Sequence, residues 1–160
     1  MKWLWWKSTI AAELPFWRTT ALADMSSAQW ESLCDGCGRC CLHKIESAEN
    51  TVFTCVACRL LDIEACRCKQ YPERQTKVPD CLVLRAEMPA KQYAWLPSSC
   101  AYKRLAEGRG LAAWHPLVSG SQSTVREAGV CVTDLAIPER QALRFGTLES
   151  YETLLSSPPE

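Results

Sequence analysis

Apolar side chains recur at helical spacing only in short segments of this chain. Ser26 is followed three residues later by Gln29, which suits a capping box, and the apolar face of the predicted helix ends at Leu33. Leucine and tyrosine recur at the same spacing over residues 147–155 and predict a last helix. Neither helix is long enough to bury a core by itself, so packing must come from elsewhere.

The clearest helix signal lies in residues 96–108. Ser98 or Ser99 can cap the start, alanine, leucine, lysine and arginine favour the interior, and Gly108 can end the helix. Cys100 falls in the predicted first turn, where backbone N–H groups and the helix dipole stabilise a thiolate. The pattern therefore places one cysteine at the start of a helix.

Strand-like and loop-like segments separate these helices. Residues 51–54 predict a short strand, and the alternation over residues 129–137 predicts another. Residues 66–80 are polar and contain two prolines, which predicts loop and turn, and residues 114–120 predict a compact loop. The fold class predicted is α+β, small and irregular, with short helices and few short strands.

Length and composition predict a single domain with two extensions, since 160 residues suit one domain of ordinary size. Residues 1–14 are a Trp-rich, variable N-terminal extension, residues 15–155 are the domain, and residues 156–160 are a disordered tail. The hydrophobic content of 48% includes 11 cysteines. If those cysteines bind metal, the apolar core is thin and metal–thiolate bonds must nucleate the domain.

Charge and hydropathy exclude several classes of function. The 18 basic and 18 acidic residues balance, so no electrostatic footprint for nucleic acid is present. Lys7, Glu13 and Arg18 interrupt every apolar window that a signal peptide would need, and no stretch approaches a transmembrane segment. We therefore predict a cytoplasmic protein. In that reducing compartment, clustered cysteines are metal ligands or redox groups rather than disulfides.

Residues 34–41, with the sequence CDGCGRCC, place four thiols within eight positions. A C-x-x-C turn points two sulfurs at one ion, and Gly36 and Gly38 relieve the backbone restrictions of such a turn. The spacing of the first three cysteines resembles the run that binds iron–sulfur clusters. Because adjacent side chains diverge, Cys40 and Cys41 are predicted to serve two neighbouring metals or to leave one thiol spare.

Seven further cysteines follow, and six of them lie between residues 55 and 100: Cys55, Cys58, Cys66, Cys68, Cys81 and Cys100. These are too many ligands for one tetrahedral ion, so two sites or one polynuclear cluster account for them better. Zinc and iron both accept four thiolates, and the ligand type does not separate an iron–sulfur cluster from zinc. Basic residues stand among the cysteines and could offset thiolate charge, although each one singly is typical of a solvated surface.

The run CxxCxxCC resembles the signature of the CxxCxxCC cysteine-cluster family, the YkgJ-like zinc- or iron-chelating proteins, and its YcgN branch resembles this chain most. The similar segments span roughly residues 15–152 and comprise residues 15–17, 30–41, 57–62, 66–68, 78–81, 95–97, 100–102 and 114–120. The resemblance implies metal binding by shared ligands, with two more in this branch. The shared set is Cys34, Cys37, Cys40, Cys41, Cys58, Cys68 and Cys81, and the branch adds Cys66 and Cys100.

The resemblance also separates two cysteines from the predicted ligands. Cys55 and Cys131 stand where the family has no cysteine, so both are predicted to be free thiols that pack as small hydrophobic side chains. Tyr71 and Arg74 match a tyrosine and an arginine of the wider family. The family has no settled activity, so the resemblance implies metal binding rather than a reaction.

Two histidines are the other candidate ligands. His43 lies two residues after Cys41, within ligand reach, but a surface histidine is the favoured interpretation. His115, in a Trp-His-Pro turn, could complete a site or contact a substrate, and a packed histidine explains it equally well.

The predicted function is a metal-binding cysteine-cluster protein, iron–sulfur or zinc, that acts in electron transfer, sensing or metal handling. Its partners are metal ions, and a protein partner is left open. One alternative is an interaction module with purely structural zinc. The other, less favoured, is an enzyme that uses the cluster as an electron donor or Lewis acid.

Overall fold

The computed structural model of the chain describes residues 14–47, 50–153 and 155. The predicted N-terminal extension falls outside this description apart from Leu14, and so does the whole predicted tail, residues 156–160. Within the described ranges the fold is α+β with short elements, as the sequence predicts.

Helices in the described ranges are six residues or shorter. The α-helices are α1 (Phe16–Thr19), α2 (Ser27–Ser32), α3 (Arg74–Lys77), α4 (Ala101–Ala106), α5 (Pro116–Ser119), α6 (Ser123–Glu127) and α7 (Glu139–Ala142). The 3-10 helices cover Leu22–Asp24, Arg39–Cys41, Tyr71–Glu73, Ala90–Tyr93 and Leu148–Tyr151. None of these helices has the length and apolar composition needed to span a bilayer.

Two small sheets complete the described fold. The larger contains β1 (Leu42–Glu46), β2 (Thr51–Ala57) and β5 (Ile137–Pro138), in the order β1-β2-β5. β2 pairs antiparallel with β1 and parallel with β5. The smaller sheet is a hairpin of β3 (Leu61–Asp62) and β4 (Arg67–Cys68). The strand predicted at residues 51–54 is therefore confirmed, and it extends three residues further.

The strand predicted over residues 129–137 is wrong. Only its last residue belongs to β5, and residues 130–136 are irregular, with a bend at 131–132 and a turn at 133–135. The N–H of Val132 donates to the carbonyl of Cys37 at 3.0 Å, and the N–H of Ala136 donates to the carbonyl of Val132 at 2.8 Å. Val130 and Val132 are both fully buried. The alternation therefore reflects two buried valines in an irregular segment and not the pleat of a sheet.

Three other predictions need correction in their detail. Residues 66–80 are not only loop, since they include β4, a 3-10 helix and α3. Residues 114–120 include α5, because Pro116 at its first position suits a helix start. The last predicted helix is a 3-10 turn over Leu148–Tyr151, after which Glu152 bridges to Thr54 of β2; Leu154 lies outside the described residues.

The capping box of α2 is confirmed. The backbone N–H of Gln29 donates to Ser26 Oγ at 3.2 Å, and the backbone N–H of Ser26 donates to Gln29 Oε1 at 2.9 Å. Two of the N–H groups that a helix start leaves without partners are thus satisfied reciprocally.

Replacing Ser26 by alanine should lower the free energy of unfolding by about 1 kcal/mol, because the N-cap side chain is lost. Ser27 is the matched control, since it is also exposed but lies inside the helix. Urea unfolding of the two alanine variants measures the difference. Equal stability of both variants would contradict the assigned cap.

The predicted helix at residues 96–108 is confirmed as α4, but its cap is not the predicted serine. Cys100 is the N-cap residue, and no side chain caps the helix. Gly108 follows the helix with a φ of 74°, as expected for a residue that ends it. The N-cap position holds Cys100 and so aims its sulfur at the first N–H groups of α4.

Buried side chains fall into three clusters, and the cysteine run and its two flanking leucines contribute to all of them. Leu33, at the end of α2, packs with Tyr93 and Tyr102 in the first cluster. Cys37 belongs to the second, with Trp114, Val125 and Val130, and Leu42 belongs to the third. Arg39 is almost fully buried, and its Nε donates to the carbonyl of Val130 at 2.6 Å. Packing therefore fixes both ends of the run.

Candidate metal centre

All 11 cysteines are free in the structure. The run of residues 34–41 enters from α2 and leaves into β1 through a 3-10 helix. Gly36 and Gly38 have φ values of 72° and 77°, in the left-handed region that favours glycine. The backbone N–H of Gly36 lowers the pKa of Cys34 and that of Arg39 lowers the pKa of Cys37, although burial outweighs both and the two pKa values are raised. The turn geometry at the two glycines is the one that the C-x-x-C spacing predicts.

Cys40 lies at the centre of the thiols. Burial, followed by nearby negative groups, raises the pKa of Cys34 to about 12, and Cys40 is one of those groups. Cys40 also raises the pKa values of Cys37, Cys81 and Cys100. A side-chain hydrogen bond with Cys41, and then burial, raise the pKa of Cys40 itself. One thiol thus faces cysteines from separate parts of the chain.

A second group of thiols gathers beside Cys41. The backbone N–H of Cys58 donates to the carbonyl of Cys41 at 2.9 Å, which holds the end of β2 against the start of β1. Cys68 lies on β4, opposite Leu61 of the hairpin. Burial raises the pKa of Cys81, Arg74 opposes that shift, and Cys58 and Cys68 add to it. Cys41, Cys58, Cys68 and Cys81 are therefore neighbours.

Cys100 joins the first group across a sequence separation of 60 residues. The backbone N–H groups of Tyr102 and Lys103 at the start of α4 lower the pKa of the Cys100 thiol, but burial outweighs them and the pKa is raised. The influence of the helix start on Cys100 is therefore too weak to ionise the thiol by itself.

The raised pKa values define what metal binding would require. The pKa values of Cys34, Cys37, Cys40, Cys81 and Cys100 are raised, which favours the protonated thiol; burial of the sulfur is the main cause, except at Cys40, where it is Cys41. Cys34 and Cys40 are nevertheless exposed as whole residues. A metal must displace the thiol protons to bind. Affinity for metal should therefore rise with pH across the neutral range.

Lys44 places a positive charge beside both groups. Its Nζ donates to the carbonyls of Cys40 at 2.7 Å and Leu42 at 2.8 Å, and it lies 5.0 Å from the centre of the Trp95 ring. Burial lowers the pKa of Lys44. The groups that oppose this shift are four cysteines: Cys40, Cys41, Cys81 and Cys58. Thiolates at these positions would therefore keep Lys44 charged.

Tyr71 and Arg74 border the site from α3 and the turn before it. The Arg74 guanidinium lies 3.9 Å from the centre of the Tyr71 ring, and Tyr71 donates its hydroxyl proton to Glu31 Oε2 at 3.0 Å. Arg74 lowers the pKa of Cys81. Burial and Glu31 are the main causes that raise the pKa of Tyr71, and Cys34 raises it further. The pair thus spans the two groups of cysteines.

Cys66 is the predicted ligand that the structure places differently. It is buried, and its Sγ lies 3.3 Å from Thr133 Oγ1 and 3.4 Å from the carbonyl oxygen of Ile63. After burial, the Cys66 thiol raises the pKa of Cys131. Cys55 is half-buried in the middle of β2. Cys66 therefore lies near Cys131, which the sequence predicts to be a free thiol, and its role as a ligand stays a prediction, like that of the other eight cysteines.

No three histidine, cysteine, aspartate or glutamate side chains within residues 14–47, 50–153 and 155 converge closely enough to hold an ion. The described residues therefore do not form a closed coordination sphere. That these cysteines bind metal stays a prediction.

The histidines take structural positions. His115 is almost fully buried and caps α5, with Nδ1 accepting from the N–H of Leu117 at 3.1 Å. Its Nε2 donates to the carbonyl of Leu33 at 3.1 Å, and burial lowers its pKa. His43 lies 3.6 Å from Glu139. Both ring nitrogens of His115 are occupied, which favours the packed histidine over a ligand or catalytic group.

Asp35 borders the cysteines and was not predicted from the sequence. This side chain is 5% exposed, and its Oδ1 accepts from the backbone N–H of Cys37 at 3.0 Å. Its negative charge raises the pKa values of Cys34, Cys37 and Cys100. The available signal was its place inside a C-x-x-C turn, where an aspartate two residues before the second cysteine can form an Asx turn.

No protein-family model and no solved structure matches the chain. A UPF0260 protein of Gluconacetobacter diazotrophicus is 54% identical over 139 residues, which cover 86% of this chain and 84% of that protein. One of Granulibacter bethesdensis is 52% identical over 140 residues, or 86% and 82% of the two chains. One of Citrobacter koseri is 46% identical over 136 residues, or 83% and 88%.

The names of these bacterial relatives give a family and no activity, and they do not carry the CxxCxxCC label. That resemblance is therefore confirmed only at the coarser level of a bacterial family. At this identity, over more than four-fifths of both sequences, the relatives show that the chain belongs to the UPF0260 family.

Proposed function

We propose that the chain is a metal–thiolate protein with two adjacent four-cysteine sites, and that it is a member of the CxxCxxCC cysteine-cluster proteins. The first site would use Cys34, Cys37, Cys40 and Cys100. The second would use Cys41, Cys58, Cys68 and Cys81. The observation that carries the proposal is that Cys40 lies close enough to raise the pKa of four other thiols, those of Cys34, Cys37, Cys81 and Cys100.

Tetrahedral ions suit such groups of four. Zinc and iron each take four thiolates, and iron can also form a polynuclear cluster across both groups. Adjacent side chains diverge, so Cys40 and Cys41 can serve neighbouring sites while their sulfurs remain in contact. The backbone N–H groups that lower the pKa values of Cys34, Cys37 and Cys100 are of the kind that orient thiolate ligands.

Nearby cations support the same assignment. Eight thiolates around two divalent ions carry surplus negative charge, which buried surroundings would penalise without compensation. Three cysteines of the second site, together with Cys40 of the first, raise the pKa of Lys44 against the effect of burial. Arg74 lowers the pKa of Cys81, and Arg67 lowers the pKa of Cys34. This compensation suits a resident metal better than neutral thiols.

The role we propose is electron transfer, sensing or metal handling in the cytoplasm, where the free thiols would persist. Metal would also supply folding energy, since structural zinc contributes about 10–16 kcal/mol and a whole domain is stable by only about 5–15 kcal/mol. The short elements and three small clusters described above agree with that need.

Metal analysis of anaerobically purified protein, combined with a visible spectrum, tests the proposal. A brown protein with iron, inorganic sulfide and absorbance that bleaches on reduction would identify an iron–sulfur cluster. A colourless protein with two zinc ions per chain and no spectral change would identify zinc. A folded protein that contains neither metal would overturn the proposal.

Replacing Lys44 by methionine should weaken metal binding by about 10–100-fold, the usual effect of losing a group that supports the ligands. Lys103 is the matched control, because its Nζ also donates to two backbone carbonyls, those of Ala94 and Leu96. Competition with a chromophoric chelator measures both affinities. Equal affinities for the two methionine variants would contradict the proposed charge compensation.

A further inference from the structure

Cys66 and Cys131 form a dithiol apart from the eight cysteines of the proposed sites. Cys131 packs against the apolar cluster that contains Cys66, and the Cys66 thiol raises the pKa of Cys131 after burial. Cys66 has a φ of 51°, the left-handed conformation that non-glycine residues rarely adopt. Such strain persists only where the surroundings impose it, and here it places the sulfur towards residues 131–133.

The two segments that carry these cysteines are already joined by hydrogen bonds. Thr133 Oγ1 donates to the carbonyl of Ile63 at 3.5 Å, and Arg126 Nη2 donates to the carbonyl of Glu64 at 2.9 Å. These contacts hold residues 63–66 beside residues 126–133. These contacts keep the two cysteines on adjacent segments, which a disulfide requires.

We propose that Cys66 and Cys131 are an oxidation site, at which a small disulfide such as glutathione disulfide converts the two thiols into an intrachain disulfide. Cys131 is the more exposed of the pair and reacts first. Its thiolate attacks the small disulfide, a mixed disulfide forms, and one glutathione leaves as a thiol. The thiolate of Cys66 then attacks the mixed disulfide and releases the second glutathione.

The reaction balances without any other reagent. Two protein thiols are oxidised, one small disulfide is reduced, and the two thiol protons end on the two released glutathiones. The proposal does not depend on metal binding, because neither sulfur belongs to the eight proposed ligands.

The bond would lock the segment that supports the cysteine run. Residues 129–132 hold the run through three contacts: Arg39 donates to the carbonyls of Gly129 and Val130, and Val132 donates to the carbonyl of Cys37. A disulfide would tie this segment to the β3–β4 hairpin, which carries Cys68. Oxidation would then hold residues 129–132 and the β3–β4 hairpin in a fixed relative position beside the proposed sites.

Peptide mapping tests the proposal on the full-length protein as purified. The protein is treated with glutathione disulfide, blocked with N-ethylmaleimide and digested with trypsin. The expected product joins residues 60–67 to residues 127–140, and each of these peptides contains a single cysteine. The thermal midpoint of the oxidised protein should rise by several degrees, because a long loop is closed in the unfolded chain.

Two serine variants control this experiment. Cys131→Ser should lose both the linked peptide and the thermal shift, while Cys55→Ser should keep both. Recovery of Cys66 and Cys131 as maleimide adducts, a lasting glutathione adduct on Cys131, or a bond from Cys66 to another cysteine would overturn the proposal. Release of metal by Cys66→Ser would do so as well, because Cys66 would then be a ligand.

Discussion

Replacing Cys40 by serine is expected to release the bound metal and to unfold the domain. Cys40 raises the pKa values of Cys34, Cys37, Cys81 and Cys100. Its loss therefore removes the thiol that is close to cysteines of both proposed sites. The apparent binding energy of a structural zinc, about 10–16 kcal/mol, exceeds the marginal stability of an ordinary domain. Metal content and circular dichroism of the purified variant measure the two effects.

Other serine variants separate ligands from bystanders. Cys34→Ser, Cys58→Ser and Cys81→Ser should each lose metal and structure, because each would leave a four-cysteine site incomplete. Cys55→Ser and Cys131→Ser should retain both. If the Cys34, Cys58 and Cys81 variants keep the metal content of the unchanged protein, the proposed ligand set is wrong.

The sequence predicts a set of ligands, which stays a prediction, but not how those cysteines would group. The spacing within residues 34–41 is a local property, and the left-handed backbone at Gly36 and Gly38 follows from it directly. Cys81 and Cys100 reach Cys40 only through packing of distant segments. No local pattern records that arrangement, so the division into two groups could not be read from spacing.

The same limit explains the incorrect strand at residues 129–137. Alternating valines are typical of a strand, and Val130 and Val132 are indeed buried. Their backbone groups instead contact the cysteine run, since Val130 accepts from Arg39 and Val132 donates to Cys37. Tertiary contacts with a segment some 90 residues away determine this backbone, and a local pattern cannot contain them. The pairing of Cys66 with Cys131 went unpredicted for the same reason.

Replacing Gly38 by alanine is expected to destabilise the protein strongly and to weaken metal binding. Gly38 has a φ of 77°, and a Cβ added there would lie 2.8 Å from Cγ2 of Val132, a fully buried side chain. The left-handed conformation alone costs an alanine about 1–2 kcal/mol. Crowding against a packed core adds about 1–3 kcal/mol, because Val132 is held by its bond to Cys37.

Gly120→Ala is the matched control for this strain. Gly120 has a φ of 76°, almost the same as Gly38, but an added Cβ would meet nothing within 4 Å. It should therefore lose only the conformational cost, while Gly38→Ala loses that cost and the packing around the cysteine run. Urea unfolding at one fixed metal concentration compares the two variants. If both lose the same stability, the contact between Gly38 and Val132 does not hold the cysteine run in place.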